Sequence, residues 1–249
     1  MMNGIEFITA TDGKAFYIES FLKCIIYGYG KLISSSKTYS RIEIHETIKR
    51  VQNSVKAHNE IEDFLCTDLI NNFVKPNLGL FGLESLVVDV GVRETKENVT
   101  VGHLDVKFHV PSLSNDDYYA FEAKRLDKNS ARQKYYIDGG IARFTKRVYY
   151  PETNTIVAGM IGFVEIDFSK SPKGRVTIDV IKDSVNNLIS AHTEITTTQL
   201  LNPFVLDADP LIESEHCKYI YLSKHTRDDD KEELKIYHVM LDYYDTLIN

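Results

Sequence analysis

At 249 residues the chain is long enough for one substantial hydrophobic core, or for a core with a smaller lobe attached. Its 43% hydrophobic and 26% charged residues are those of a globular protein; no apolar run nears the roughly 18 residues that span a bilayer, and no leader-like start precedes Gly13, so a cytoplasmic protein without membrane contact is expected. The net charge of −7 speaks against a uniformly basic surface, and three scattered cysteines without CxxC spacing speak against a disulfide framework or a thiolate zinc site, leaving Cys24, Cys66 and Cys217 as small buried residues.

The first seventy-five residues read as helical. Ala15, Phe16, Ile18, Phe21, Leu22, Ile25, Ile26 and Tyr29 recur at helical spacing, with Gly28 and Gly30 marking the helix end. A second helical stretch runs from about Glu43 to Phe73, with a break expected near His58-Asn59 and a stop at Lys75-Pro76. After Gly82 the pattern changes: Leu86–Val90, Val99–Val110 and Tyr118–Lys124 read as strands, the last two joined by turn-forming residues 111–117. Ser130–Tyr149 reads as a helix, Thr155–Ile166 as a buried strand, and Val176–Ser190 as a helix whose first five residues could instead be extended. Lys218–Lys224 and Lys235–Tyr243 are late strands around the polar Asp228-Asp229-Asp230 turn, more readily sheet-extending than ligands for a metal through His225 and His238.

Charge is unevenly spread. Eight basic residues face two acidic ones between Lys124 and Arg147, whereas 207–249 carries eleven acidic residues against five basic. The basic stretch is equally the solvated face of a helix or a local field for a polyanion. Three residues stand out beside it. Glu122 and Lys124, two apart on a strand, share one face, while Phe121 and Ala123 turn to the other. A turn centred between Leu113 and Ser114 would set Asp105 directly opposite Glu122, roughly 5 Å apart at Cβ. Two facing carboxylates need a positive charge between them, and Mg²⁺ prefers a few protein oxygens with water.

Asp105, then Glu122-Ala123-Lys124, in a helix–three strands–helix–strand order over about 55–166, resembles the PD-(D/E)XK nuclease superfamily. Leu104 stands where the name-giving proline would be. The resemblance implies an α/β fold with a restriction-endonuclease-like core: a helix, a three-stranded antiparallel meander, a helix and a strand. Residues 1–54 would form an N-terminal helical extension, 55–190 the nuclease core, and 191–249 added strands completing the same domain. It further implies Mg²⁺-dependent hydrolysis of phosphodiester bonds, with Mn²⁺ able to substitute. Asp105, Glu122 and Lys124 would be catalytic, and Asp105, Glu122 and the Ala123 carbonyl would hold the metal, aided by an acid from the first core helix, Glu62 ahead of Glu60. Lys124 would orient the attacking water. Gln133, Arg143 and Arg125 are candidate substrate contacts, although Gln133 equally reads as a core-edge residue and Arg143 as an exposed arginine. His103 shares a strand face with Asp105 and reads equally as structural.

DNA is favoured over RNA by the superfamily alone, and a restriction or phage-defence role with a partner subunit is an expectation of the same origin. A homo-oligomer is left open. A non-catalytic subunit of the same fold in a defence or repair complex is the main rival; a nucleotide hydrolase is a weaker one, because Gly139-Gly140 lacks the residues of a phosphate-gripping loop.

Overall fold

The computed structural model describes residues 11–52, 59–97, 99–110, 118–151, 155–166 and 175–248. The expected turn at 111–117, the His58 break and the Glu60 side chain lie outside what is described. The fold is α/β. Seven strands form one mixed sheet in the order β2-β3-β4-β5-β8-β7-β6: β2 (Val87–Lys96), β3 (Val99–His109), β4 (Tyr118–Leu126), β5 (Val157–Val164), β6 (Thr196–Pro203), β7 (Ile220–Thr226) and β8 (Glu233–Asp242). β2-β3-β4 and β8-β7-β6 are antiparallel, and β4-β5-β8 run parallel. A separate two-residue parallel pair joins β1 (Tyr39–Ser40) to β9 (Leu247–Ile248).

Helices cover both faces. α1 (Thr11–Ser34), α2 (Arg41–Gln52) and α3 (Asn59–Asp68) pack on the face carrying Phe108, Tyr119, Phe121, Ala123, Ile161 and Phe163. Phe21 of α1 stacks on Phe108 at 4.2 Å between ring centres, so this helix packs into the hydrophobic core. The opposite face, with Tyr118, Ala120, Leu126, Met160 and Met240, is covered by a helical run and by α6 (Ile178–Ser190). The run comprises α4 (Ser130–Tyr136), a π-helical turn (Ile137–Ile141) and α5 (Ala142–Thr145). Asn129 caps α4 by accepting the Ala131 N–H. Thr177 caps α6, which buries Ile178, Ile181, Val185 and Ile189 at helical spacing.

Two expectations about helix ends need correction. α1 continues through Gly28 and Gly30 to Ser34. These glycines serve close approach: a Cβ at Gly28 would lie 2.8 Å from the Phe73 carbonyl oxygen, and one at Gly30 2.9 Å from His216. The helix begun at Ser130 stops at Thr145, four residues short of Tyr149, because Arg147 and Tyr150 take left-handed backbone angles (φ 50° and 60°) that no helix contains.

β2 and β3 share a kink. Val88, Val90, Val106 and Phe108 face the α1 side, whereas Val92 and Leu104, of the same alternation parity, face the α4 side. The reversal occurs at Gly91, whose φ of 65° favours glycine, and at Asp105, which stands across from it in the register of the flanking pairs.

Candidate active site

The β3–β4 ladder pairs His109 with Tyr118 through to Val106 with Phe121, the register expected from a turn centred between Leu113 and Ser114, and goes no further. Beyond the kink β3 leaves β4, and the peptide groups of Ala123 and Arg125 face a vacated edge. Buried peptide N–H groups need acceptors. Here carboxylates supply them: Asp105 Oδ2 accepts the Ala123 N–H at 2.7 Å, and Glu62 Oε2, reaching in from α3, accepts the Arg125 N–H at 2.8 Å. Two acids thus stand in for a missing strand.

Lys124 occupies the centre. Its Nζ lies 2.6 Å from Glu122 Oε1, 3.0 Å from Glu62 Oε1, 3.6 Å from Asp105 Oδ2 and 2.6 Å from the Ala123 carbonyl oxygen. Lys124, Glu122 and Glu62 are all buried. Burial pushes the Glu62 carboxyl up to about 7, with Lys124 pulling it down and Asp105 pushing it up. Burial, then Asp105, pushes Glu122 up to about 8. Burial also opposes the charge on Lys124, but Asp105, Glu122 and Glu62 together raise its pKa well above the ordinary value.

The π-helical turn roofs the lysine. Gly140 lies against it: an added Cβ would overlap the Met160 side chain and touch Lys124 Cγ at 4.0 Å. Tyr135 folds back over Gly139 and sets its ring 5.5 Å from the ammonium.

The remaining candidates separate. Arg143 joins the cluster, with Nη1 3.7 Å from Glu122 Oε1. Arg125 turns away from Lys124 into a second ion-pair group, where Glu165 receives Arg125, Arg132 and Arg41 and Asp127 receives Arg132. Gln133 is buried with its amide spent at both ends, donating to the Asp127 carbonyl and accepting from Ser184, so it ties α4 to α6. His103 contributes its carbonyl while its side chain is exposed. His225 and His238 lie in a buried chain: Tyr136 hydroxyl to His238 Nδ1, His238 Nε2 to Ser223, Ser223 to His225 Nε2, and His225 Nδ1 to Thr197. Sequence reasoning missed Tyr135 and Tyr149; Tyr149 is buried and its hydroxyl meets both Arg143 and the His103 carbonyl.

The donor set suits a hard divalent cation, being carboxylate and carbonyl oxygens only. Glu122 Oε2 is buried and accepts no hydrogen bond at ordinary length, and the Tyr149 hydroxyl, which donates to the His103 carbonyl, also lies against the Glu122 carboxylate. An ion is one partner that such a buried oxygen could take. A tighter group, Glu213, Glu215 and His216, has ligand atoms within 4.8 Å of one another among the described residues, but its two acids are exposed. No helix among the described residues is long and apolar enough to cross a membrane. No family model, curated protein or solved structure significantly matches the chain.

Proposed function

We propose that the chain is a Mg²⁺-dependent nuclease with a restriction-endonuclease-like core, acting on DNA in preference to RNA, with Mn²⁺ able to replace Mg²⁺. One observation carries the reading: three carboxylates and a peptide carbonyl surround a buried lysine at the point where a sheet opens. The acids outnumber the ammonium, and a structural ion-pair cluster has no need of that excess. A divalent cation held by Asp105, Glu122, the Ala123 carbonyl and Glu62 would supply Lewis-acid polarisation of the phosphate and acidification of water.

The chain's own groups divide the remaining work. Lys124, beside the carboxylates that would hold the cation, would orient the attacking water and stabilise charge as the new O–P bond forms and the ester P–O bond breaks. The proton that the water gives up would pass to solvent, and the leaving oxygen would be stabilised by the cation. The Gly140 backbone lies against the Lys124 stem, and the Tyr135 ring stands 5.5 Å from its ammonium. A role in a restriction or phage-defence system with a partner subunit extends the same reading.

The test is cleavage of plasmid, single-stranded DNA and RNA with Mg²⁺, Mn²⁺ or chelator, comparing wild type with Asp105→Ala and Lys124→Ala. Metal-dependent cleavage by wild type alone is expected. Equal activity in all three proteins would refute the assignment.

A further inference from the structure

Lys124 is enclosed by Glu122, Glu62 and Asp105, so a phosphodiester reaching the mouth of the cluster needs a cation on its exposed side. Arg143 is that cation: its side chain is 35% exposed and its guanidinium borders Glu122. Arginine has five donors, and the geometry of one is set by Tyr149. The Tyr149 hydroxyl has a single proton, which it donates to the His103 carbonyl at 2.9 Å, so it must accept from Arg143 Nη1 at 2.6 Å. His103 lies two residues from Asp105 on the part of β3 that has left β4. The hydroxyl therefore ties the helix end to the strand that carries the first acid.

The fold makes costly provision for this ring. Arg147 and Tyr150, either side of it, both hold left-handed angles that are unfavourable for a residue with a side chain. Opposite it, Gly102 has no Cβ; one there would sit 3.0 Å from the ring. The neighbouring Tyr150 is anchored in turn, its hydroxyl accepting the Ala120 N–H and donating to the Val157 carbonyl. Strained backbone, a side-chain-free strand position and a buried, directional hydroxyl all converge on the orientation of one guanidinium.

We infer that Tyr149 is a positioning residue that aims Arg143 at a substrate phosphate beside Glu122, the two forming a phosphate clamp at the mouth of the cluster. The inference rests on the nuclease reading for its substrate. It is tested on the full chain with wild type, Arg143→Ala, Arg143→Lys, Tyr149→Phe and the Tyr149→Phe/Arg143→Ala double variant. One readout is the Kd for a labelled DNA oligonucleotide in chelator; the other is the single-turnover cleavage rate with Mn²⁺.

Loss of a charge-assisted hydrogen bond predicts about tenfold weaker binding for Arg143→Ala. Tyr149→Phe should lose a similar factor, and so should Arg143→Lys, which keeps the charge without the fork should Tyr149→Phe fold poorly. In the double variant, Tyr149→Phe adds nothing to Arg143→Ala, because it acts only through the arginine. Additive losses, or a Tyr149→Phe variant that binds like wild type, would overturn the clamp, as would a wild type that binds no oligonucleotide. Coupled binding losses in a protein that cleaves nothing would leave the clamp standing and remove the nuclease reading.

Discussion

Replacing Lys124 with methionine removes the ammonium from among three carboxylates while keeping most of the side-chain volume. In the wild type that ammonium has Glu122 Oε1 at 2.6 Å and Glu62 Oε1 at 3.0 Å, all of them buried. Taking one partner from a buried pair costs about 3–5 kcal/mol. At the lower figure, a protein of this size loses about 6–12 °C in Tm. The sign of the pH dependence follows from the acids. Their folded pKa values, about 7 for Glu62 and about 8 for Glu122, lie above the ordinary 4.5. Keeping them buried therefore costs nothing below pH 4.5, costs progressively more between 4.5 and their folded values, and levels off above about pH 8. Without lysine both values climb further, so the deficit of Lys124→Met should be small at pH 5 and largest above pH 8. A cation taking the vacated centre should restore stability: occupancy at a hundred times Kd contributes about 2.7 kcal/mol. Thermal unfolding across pH, with chelator or saturating Mn²⁺, measures all of this. A variant as stable as wild type in chelator at pH 8, or one that Mn²⁺ does not stabilise, would refute the reasoning.

Other substitutions probe the remaining features. Glu122→Gln replaces a buried carboxylate whose second oxygen accepts no hydrogen bond at ordinary length, so Tm should hold or rise while cleavage falls by at least about a hundredfold. Gly91→Ala meets no atom within 4 Å but imposes a side chain at φ 65°, so urea unfolding should show a loss of about 1–2 kcal/mol. Burial lowers His225 to about 4 and His238 well below its ordinary value, so both are neutral when folded. The unfolded chain binds their protons below about pH 6.5, and the stability they hold above that pH is lost as pH falls toward 4. For His225 this amounts to about 3 kcal/mol. His225→Asn should flatten that acid limb in pH-dependent unfolding; an unchanged limb would refute the assignment.

How far the sequence discloses this molecule depends on how local each cause is. Alternation and turn chemistry suffice for β3, β4 and the register between them, because pleat and turn length set strand pairing without outside help. The run Thr196–Pro203 shows no alternation and lies at the sheet edge with two register shifts, so β6 is visible only once β7 is there to pair with it. Gly28 and Gly30 mislead for a related reason: a glycine demanded by a neighbour's close approach looks the same as one that ends a helix. The Asp105, Glu122 and Lys124 cluster is legible as a face pattern, and Glu62 as an acid on the preceding helix. The capping of Ala123 and Arg125 by carboxylates is not, since it depends on the ladder opening at Gly91. Tyr149 is equally hidden, because its place comes from two backbone angles that its own neighbours do not favour.

The vacated edge of β4 carries a further consequence. An uncovered strand edge invites another strand, whether from the same chain or from a neighbour. Asp105 and Glu62 occupy those peptide groups, so they act as stoppers against sheet growth whatever else they do. Their peptide-capping role needs no chemistry, so the presence of both alone does not mark an enzyme. Glu122 caps no peptide and has an oxygen that accepts no hydrogen bond at ordinary length. Under the proposed reading, Glu122 is therefore the acid of the three whose identity reports most directly on chemistry rather than on the sheet edge.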